Sequence, residues 1–154
     1  VDANWLFNKG MSSYLEFESL TSTADFGTVA LGDTWSDAKK TTGNITAHMI
    51  ANGGYDEKIK ASSTTWSGTG GKEVTLNVTG DPGNNEFALK NDDDLTVGGA
   101  AQVTAGYAAC GVATKLITEE EGYDIDNSLF ILLGASQIAQ VKFTGTIYYQ
   151  IVNA

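Results

Sequence analysis

The sequence has no arginine, and it contains one cysteine, one proline and one histidine among its 154 residues. Arginine forks and basic patches are the usual means of recognising phosphate groups. This chain instead has nine lysines against nineteen acidic residues, for a net charge of −10. A chain without arginine is a poor candidate for binding nucleic acid, and its acidity repels an anionic membrane surface, so we expect neither partner. The acidity is compatible with solubility outside the cell and with binding of divalent cations.

The single cysteine, Cys110, excludes an internal disulfide and a cysteine-rich metal cluster. It lies in an apolar run with the character of a strand, which favours a buried and inert thiol. The alternative is a disulfide to another chain. No apolar run reaches the ~18 residues that a membrane span needs, so we expect no membrane insertion.

The first residue and two short motifs bear on location. Val1 is not an initiator methionine, so we expect a processed chain whose signal peptide has been removed, located outside the cell at its surface. Two acceptor sequons begin at Asn44 and Asn77, and these are the candidate glycosylation sites. They suit a secreted glycoprotein.

The sequence offers little for catalysis. The only histidine, His48, lies on the opposite parity to Ile45 and Met49 in a predicted strand, which favours a solvated or half-packed residue over a catalytic base. No Gly-x-Ser-x-Gly elbow and no phosphate-binding glycine loop is present. Acidic residues are plentiful, but nothing singles out a pair for glycoside hydrolysis. We therefore predict that the chain is not an enzyme.

Apolar side chains recur at every second position along most of the chain, and this period predicts β-strands. The run 129–133 is apolar at every position, which is consistent with a strand buried on both faces or with a short packed helix. We expect loops or turns at 33–42, 66–71, 80–85 and 91–94, the first with one possible helical turn. The predicted strands are 13–20, 24–31, 44–51, 55–62, 72–79, 86–90, two strands within 101–117 broken near Cys110, 129–133 and 141–151.

Two features set the expected architecture. The sequence Asn52-Gly53-Gly54 is a turn signal between 44–51 and 55–62, and it predicts that these segments pair as a hairpin. Strands that recur at intervals of about eight to twelve residues are typical of an all-β sandwich. We therefore predict an antiparallel β-sandwich over 12–154, preceded by an N-terminal strand extension over 1–11.

The N-terminal segment is unusually apolar. Trp5, Leu6 and Phe7 stand beside a free terminus, where chains are normally polar and frayed. Leaving them in water invites aggregation, whereas burying them contributes about 25 cal/mol for each Å² of apolar area. The segment either folds back on its own domain as an edge strand or inserts into a neighbouring subunit.

The C-terminal segment is the most regular strand in the sequence. Five large apolar side chains share one parity there, and we take them as the candidates for lining a groove: Val141, Phe143, Ile147, Tyr149 and Ile151. This strand needs a partner, which comes either from elsewhere in the chain or from another chain.

Three short segments carry a resemblance to a known family. They are Ala-Asp-Phe-Gly-Thr-Val-Ala-Leu-Gly-Asp at 24–33, Ile-Ala-Asn-Gly-Gly-Tyr at 50–55 and Gly-Thr-Ile-Tyr-Tyr at 145–149. In order and spacing they resemble the jelly-roll subunits of prokaryotic surface fibres, namely the TasA/camelysin group and the archaeal bundling pilins, threads and cannulae. The resemblance covers about 13–62 and 141–152.

The resemblance implies a function. Subunits of those fibres polymerise by donor-strand complementation, in which one subunit's N-terminal strand completes the sheet of the next. Residues 1–9 match that role in position and character, and the candidate donor residues are Val1, Ala3, Trp5, Leu6 and Phe7. Strand addition covers an open sheet edge, and a head-to-tail contact that does not close propagates as a filament. The implied partner is another copy of the chain.

Acidic clusters make calcium a candidate ligand, because calcium prefers six to eight oxygen atoms in flexible geometry. The candidate ligands are Asp92, Asp93, Asp94, Asp124 and Asp126. The second group lacks the glycine and the terminal glutamate of an EF-hand. The competing interpretation is a plain solvated acidic loop.

Two other classes of function compete with a fibre subunit. A carbohydrate-binding module of a secreted protein has a similar sandwich, with Trp35, Trp66 and Tyr55 as stacking faces for surface glycans. Such a module has no need for an apolar N-terminus. A chaperone-assembled fimbrial subunit uses the same strand exchange, but it usually carries an internal disulfide, which Cys110 alone cannot form.

Overall fold

The chain folds into two β-sheets that pack face to face. The computed structural model describes residues 15–20, 23, 25–40, 45–51, 54–92, 101–109, 123–136 and 142–153. No α-helix occurs in these ranges, and the prediction of an all-β sandwich is confirmed. The strands are β1 (Leu15–Leu20), β2 (Lys39–Lys40), β3 (Ile45–Ala51), β4 (Tyr55–Ala61), β5 (Thr65–Gly68), β6 (Glu73–Leu76), β7 (Glu86–Asp92), β8 (Ala101–Gln102), β9 (Ala108–Ala109), β10 (Tyr123–Leu133), β11 (Phe143–Thr144) and β12 (Ile147–Asn153).

The larger sheet has the order β1-β3-β10-β7-β6-β5-β11, and it is strongly curled. Strand β10 lies at its centre. Its first half pairs with β3 and its second half with β7. The short strand β2 also pairs with β10, and β8 pairs with β7. All these pairs are antiparallel except β6 with β7, where Leu76 lies opposite Phe87.

The smaller sheet has the order β12-β4-β9. Strands β12 and β4 pair along their full length, from Ile147 opposite Ala61 to Asn153 opposite Tyr55. Strand β9 adds a short pairing on the other side of β4. Strand β4 is therefore the central strand of this layer, and β12 lies at one edge of it.

The hydrophobic core lies between the two sheets. Along β4, buried residues alternate with half-buried ones, so one face of the strand points inward. The apolar run of β10 is buried at every position from Leu129 to Leu133, which confirms a strand buried on both faces. The core cluster consists of Ile59, Ala61, Trp66, Val74, Leu76, Phe87, Leu89, Val103, Leu129, Ile131 and Leu133.

The predicted hairpin is wrong, although both of its strands exist close to the predicted bounds. Strand β3 lies in the larger sheet between β1 and β10, whereas β4 lies in the smaller sheet. The glycine-rich connection therefore carries the chain from one layer to the other. Each strand has an apolar face, so alternation alone cannot distinguish a turn within one sheet from a crossing between two sheets. The distant strand β12 supplies a partner along the whole of β4.

The segment predicted as a strand at 24–31 is not one. Among its described residues, only Leu31 forms a bridge, with Leu133 of β10. The cause is a local turn, because the Asp25 carboxylate accepts a hydrogen bond from the Gly27 N–H at 2.8 Å and Gly27 has φ +63°. Phe26 and Val29 still pack against the core, which explains the apolar pattern.

Two other loop predictions need correction. Half of the predicted glycine loop at 66–71 is strand β5, whose Trp66 is in the core, and only Thr69–Gly71 forms a 3₁₀ turn. Asn91 and Asp92 belong to β7 and not to an acidic loop. The prediction of one helical turn within 33–42 is confirmed by the 3₁₀ turn Trp35–Asp37. The predicted extension at 1–11 and Cys110 lie outside the described residues.

Candidate assembly edge

Strand β12 is an edge strand of the described structure. It pairs with β4 on one side, and no described strand pairs with it on the other. Strand β1, the corresponding edge of the larger sheet, approaches β12 with Cα separations of 8 Å or less at some positions. Both sheets therefore end on the same side of the sandwich. An edge strand presents unpaired N–H and C=O groups, on which another chain can form a further strand.

The core-facing side chains of β12 are incompletely covered. Ile147, Tyr149 and Ile151 are only half-buried, whereas the β4 residues opposite them are fully buried. Those partners are Ala61, Ile59 and Glu57. The smaller sheet therefore has a closed centre and an open edge, at which three of the five predicted groove residues lie on one face of one strand.

The other two groove residues do not belong to this face. Val141 lies outside the described residues, and Phe143 lies in β11, which pairs with β5 in the larger sheet. The predicted single strand at 141–151 is thus two strands separated by Gly145 and Thr146, and this part of the prediction is wrong. Phe143 remains half-buried against the core, with its ring centroid 5.4 Å from that of Phe87.

Gly145 explains where the chain changes layers. A Cβ atom added at this position would overlap the indole of Trp66, and its distance to Cε3 would be 2.7 Å. Trp66 is fixed in place because its Nε1 donates to the Ser63 carbonyl oxygen at 3.1 Å and its ring lies 4.7 Å from the Phe87 ring. Only glycine allows the backbone to pass this close to the indole.

Polar side chains lie beneath the apolar edge. The Tyr149 hydroxyl donates a hydrogen bond to Asn91 Oδ1 at 2.5 Å, and Asn91 is 0 % exposed. Asn91 Nδ2 has no hydrogen-bond partner among the described residues. Glu57 is also buried, on the core-facing side of β4. The alternation of β4 places Glu57 among the apolar positions, and this was the available signal; nothing in the local sequence indicated that Asn91 would be buried.

The calcium candidates that lie within the described residues occupy strands and not the predicted loops. Asp92 lies opposite Ser128, and Asp126 and Asp124 lie opposite Thr46 and His48. Alternate positions of a strand and directly opposite positions belong to one row of a sheet, so positions 92, 124 and 126 share one row of the larger sheet, which we call the aspartate row. Asp93 and Asp94 lie outside the described residues. Among the described side chains, no group of three or more histidine, cysteine, aspartate or glutamate residues is placed to hold a metal ion. As predicted, the lone histidine is a half-buried strand residue.

The Asn77 sequon lies in a compact hydrogen-bonded turn. Asn77 Nδ2 donates to Glu86 Oε2 at 2.9 Å, and the Gly83 N–H donates to the same oxygen at 2.7 Å. These two hydrogen bonds, that of Asn77 first, lower the pKa of Glu86 below its ordinary value. A glycan on this amide nitrogen would replace the hydrogen bond to Glu86. Asn44 lies outside the described residues.

Two of the three aromatic residues nominated for stacking on sugars are inaccessible. Tyr55 is 0 % exposed and Trp66 is 8 % exposed, because both point into the core, so this part of the prediction is wrong. Trp35 is half-buried, and Lys90 Nζ lies 4.3 Å from its ring centroid. Among the described tyrosines, Tyr107 and Tyr148 are exposed, on the outer face of the smaller sheet.

The described residues contain no helix that is long and apolar enough to cross a membrane. Comparisons with protein-family models, with curated proteins and with solved structures find no match to this chain.

Proposed function

We propose that this chain is the structural subunit of an extracellular surface filament that polymerises by donor-strand complementation. The observation that supports the proposal is the open edge at β12. Its core-facing residues Ile147, Tyr149 and Ile151 are half-buried beside a strand whose inward face is fully buried. A strand added at this edge would cover those side chains and pair with the side of β12 that no described strand pairs with.

The proposed donor is the apolar segment 1–9, which lies outside the described residues. Trp5 and Phe7 share one parity, so both can enter the same groove, while Leu6 lies on the opposite face of an extended strand. A donor at one end of the subunit and an acceptor on the body of the next make a contact that does not close on itself. Such a contact propagates as a filament.

The jelly-roll connectivity, the extracellular location and the absence of catalysis belong to the same proposal. The resemblance to fibre subunits supports the first two. The third is supported by the presence of one histidine in the whole sequence and by its strand position in the larger sheet. Calcium bound along the aspartate row would act as a stabilising ligand without a catalytic role.

Deleting residues 1–9 tests the proposal. We expect the truncated protein to keep a strand-rich circular dichroism spectrum but to form no filaments in negative-stain electron microscopy. A synthetic peptide of residues 1–9 should then bind the truncated subunit and raise its melting temperature, because it occupies the groove of the folded form. Normal filaments from the truncated protein would contradict the proposal and place the contact elsewhere.

A matched set of substitutions tests which face of the donor enters the groove. Trp5→Asp combined with Phe7→Asp should abolish filaments, because an unpaired charge cannot enter an apolar slot without a large desolvation cost. Leu6→Asp places the same charge on the opposite face of the strand, and this variant should assemble much better. Equal loss of filaments in both variants would contradict the assignment of Trp5 and Phe7, rather than Leu6, to the groove.

A further inference from the structure

The outer face of the smaller sheet carries two exposed tyrosines on either side of a lysine. Tyr107 is 42 % exposed and Tyr148 is 47 % exposed. Lys60 Nζ lies 4.5 Å from the centroid of the Tyr107 ring and 5.6 Å from that of Tyr148. We call these three residues the tyrosine–lysine platform. None of their side chains faces the groove of the proposed strand exchange.

Strand pairing assembles the platform from distant parts of the sequence. Lys60 lies on β4 directly opposite Tyr148 of β12. The register of β4 with β9 pairs Lys58 with Ala109, so the chain entering β9 brings Tyr107 beside Lys60. Because neighbouring strands are about 4.8 Å apart, the two tyrosines stand roughly 10 Å apart across β4. This spacing leaves room for more than one ring of a linear ligand.

The platform is a local concentration of positive charge on an acidic protein. Lys58 lies on the same outward face of β4 as Lys60, two residues away. In the described part of the chain, neither lysine forms an ion pair. Gln150, opposite Lys58, adds an amide to this face, and Asp56 stands at its far end. Two neighbouring lysines on one face, with no carboxylate partner among the described residues, stand out in a chain of net charge −10.

We propose that the tyrosine–lysine platform binds an acidic polysaccharide, one whose sugars carry carboxylate groups. The C–H faces of pyranose rings pack on exposed aromatic rings, which present large apolar surfaces at little cost in conformational entropy. A uronate carboxylate would accept charge-assisted hydrogen bonds from Lys60 and Lys58. Gln150 has both a donor and an acceptor for sugar hydroxyls.

The chemistry of the face argues against other occupants. Lysines interrupt the apolar surface between the tyrosines, so the face does not form the continuous apolar patch of a tight protein interface. A nucleic acid would need basic residues along many phosphates, whereas this face offers two lysines and the chain has no arginine. The platform points away from the core, so strand addition at the edge of β12 leaves it accessible, and a filament would display one platform on every subunit.

Calorimetric titration with trigalacturonate tests the inference, with cellotriose as the neutral comparison. We expect the chain to bind trigalacturonate and to bind cellotriose at least about tenfold more weakly, the factor lost with one charge-assisted hydrogen bond. Lys60→Met should weaken trigalacturonate binding by a similar factor. Tyr107→Ala and Tyr148→Ala should each weaken the binding of both sugars.

Lys90→Met is the matched control, because Lys90 also lies over an aromatic ring but on the larger sheet. It should bind trigalacturonate as the parent does, and unchanged circular dichroism spectra should show that every variant is folded. Several results would overturn the inference: no saturable binding, equal affinity for both sugars, or a loss of trigalacturonate affinity in Lys90→Met equal to that in Lys60→Met. Self-association that is abolished by Lys60→Glu would assign the face to a second copy of the chain instead. Filaments without sugar binding would refute only this inference, and sugar binding without filaments would refute only the proposed function.

Discussion

Gly145→Ala should be among the most damaging single-methyl substitutions in this protein. The added methyl would overlap the six-membered ring of Trp66, and the indole has no free direction in which to move. Its nitrogen is hydrogen-bonded to the Ser63 carbonyl oxygen and its ring packs on Phe87. Either Trp66 leaves its rotamer or the backbone between β11 and β12 shifts outward.

Either rearrangement lowers the stability of the fold. Inserting a methyl group into a packed core costs about 1–3 kcal/mol, and we expect the upper end because both the indole and the backbone are constrained. In a domain of this size, about 1 kcal/mol lowers the melting temperature by ~2–4 °C, so the fall should be roughly 6–12 °C. An outward shift of the backbone would also detach the start of β12 and so weaken the proposed filament contact.

Urea unfolding followed by circular dichroism gives the free energy of unfolding for each variant. Gly106→Ala is the control, because a Cβ atom there meets only Thr104 Oγ1 at 3.9 Å and Gly106 does not have positive φ. Trp66→Leu should remove much of the penalty of Gly145→Ala, giving a coupling free energy of about 1 kcal/mol or more in a double-mutant cycle. If Gly145→Ala unfolds like Gly106→Ala, or if its cost is unchanged beside Leu at position 66, the steric argument is refuted.

Three further outcomes are expected. Hydrogen bonds from Asn77 and a backbone amide lower the pKa of Glu86, so its carboxylate stabilises the fold above the ordinary glutamate pKa and loses this effect as the pH falls through the lowered value. Glu86→Gln should therefore lower the free energy of unfolding by about 1 kcal/mol at pH 7, and this difference from the parent should vanish in acid. Tyr149→Phe should lower the free energy of unfolding by about 2 kcal/mol, because it leaves buried Asn91 without its hydrogen-bond donor. Tyr148→Phe, on the exposed face, should be nearly neutral. Equal effects of the two substitutions would contradict the hydrogen bond assigned to Tyr149. If calcium binds the aspartate row, a chelator should lower the melting temperature and added calcium should restore it. The loss of stability should be equivalent to about 2.7 kcal/mol when calcium is present at one hundred times its Kd. An unchanged melting temperature would remove calcium from the proposal.

Local patterns predicted strands well, because period-two alternation reports a half-buried face directly. Strands β1, β3, β4 and β6 lie within or close to the predicted ranges, and the solid apolar run of β10 is buried as expected. The same logic failed at 24–31, where apolar residues pack on the core from an irregular segment that Asp25 and Gly27 turn locally.

Pairing was much less predictable than strand formation. The turn signal at Asn52-Gly53-Gly54 has the same local chemistry whether the chain turns back or crosses to the other sheet, and the outcome depends on a competing partner far along the sequence. Likewise, alternation predicted one continuous strand over 141–151, and only the position of Trp66 shows why it is interrupted at Gly145. The open edge and the tyrosine–lysine platform both depend on the β4–β12 pairing, so alternation alone could nominate Ile147, Tyr149 and Ile151 but could not assemble the site.

The pairing of β4 with β12 also orders events during synthesis. Strand β4 leaves the ribosome well before β12, since residues 55–61 pair with 147–153. Contacts between such distant segments are slow to form, and apolar surface that awaits its partner is open to aggregation. In the proposed filament, a chain that lacks 147–153 would not offer the β12 edge to a neighbour, so an incomplete polypeptide would not act as an acceptor. Assembly would thereby select chains that contain β12.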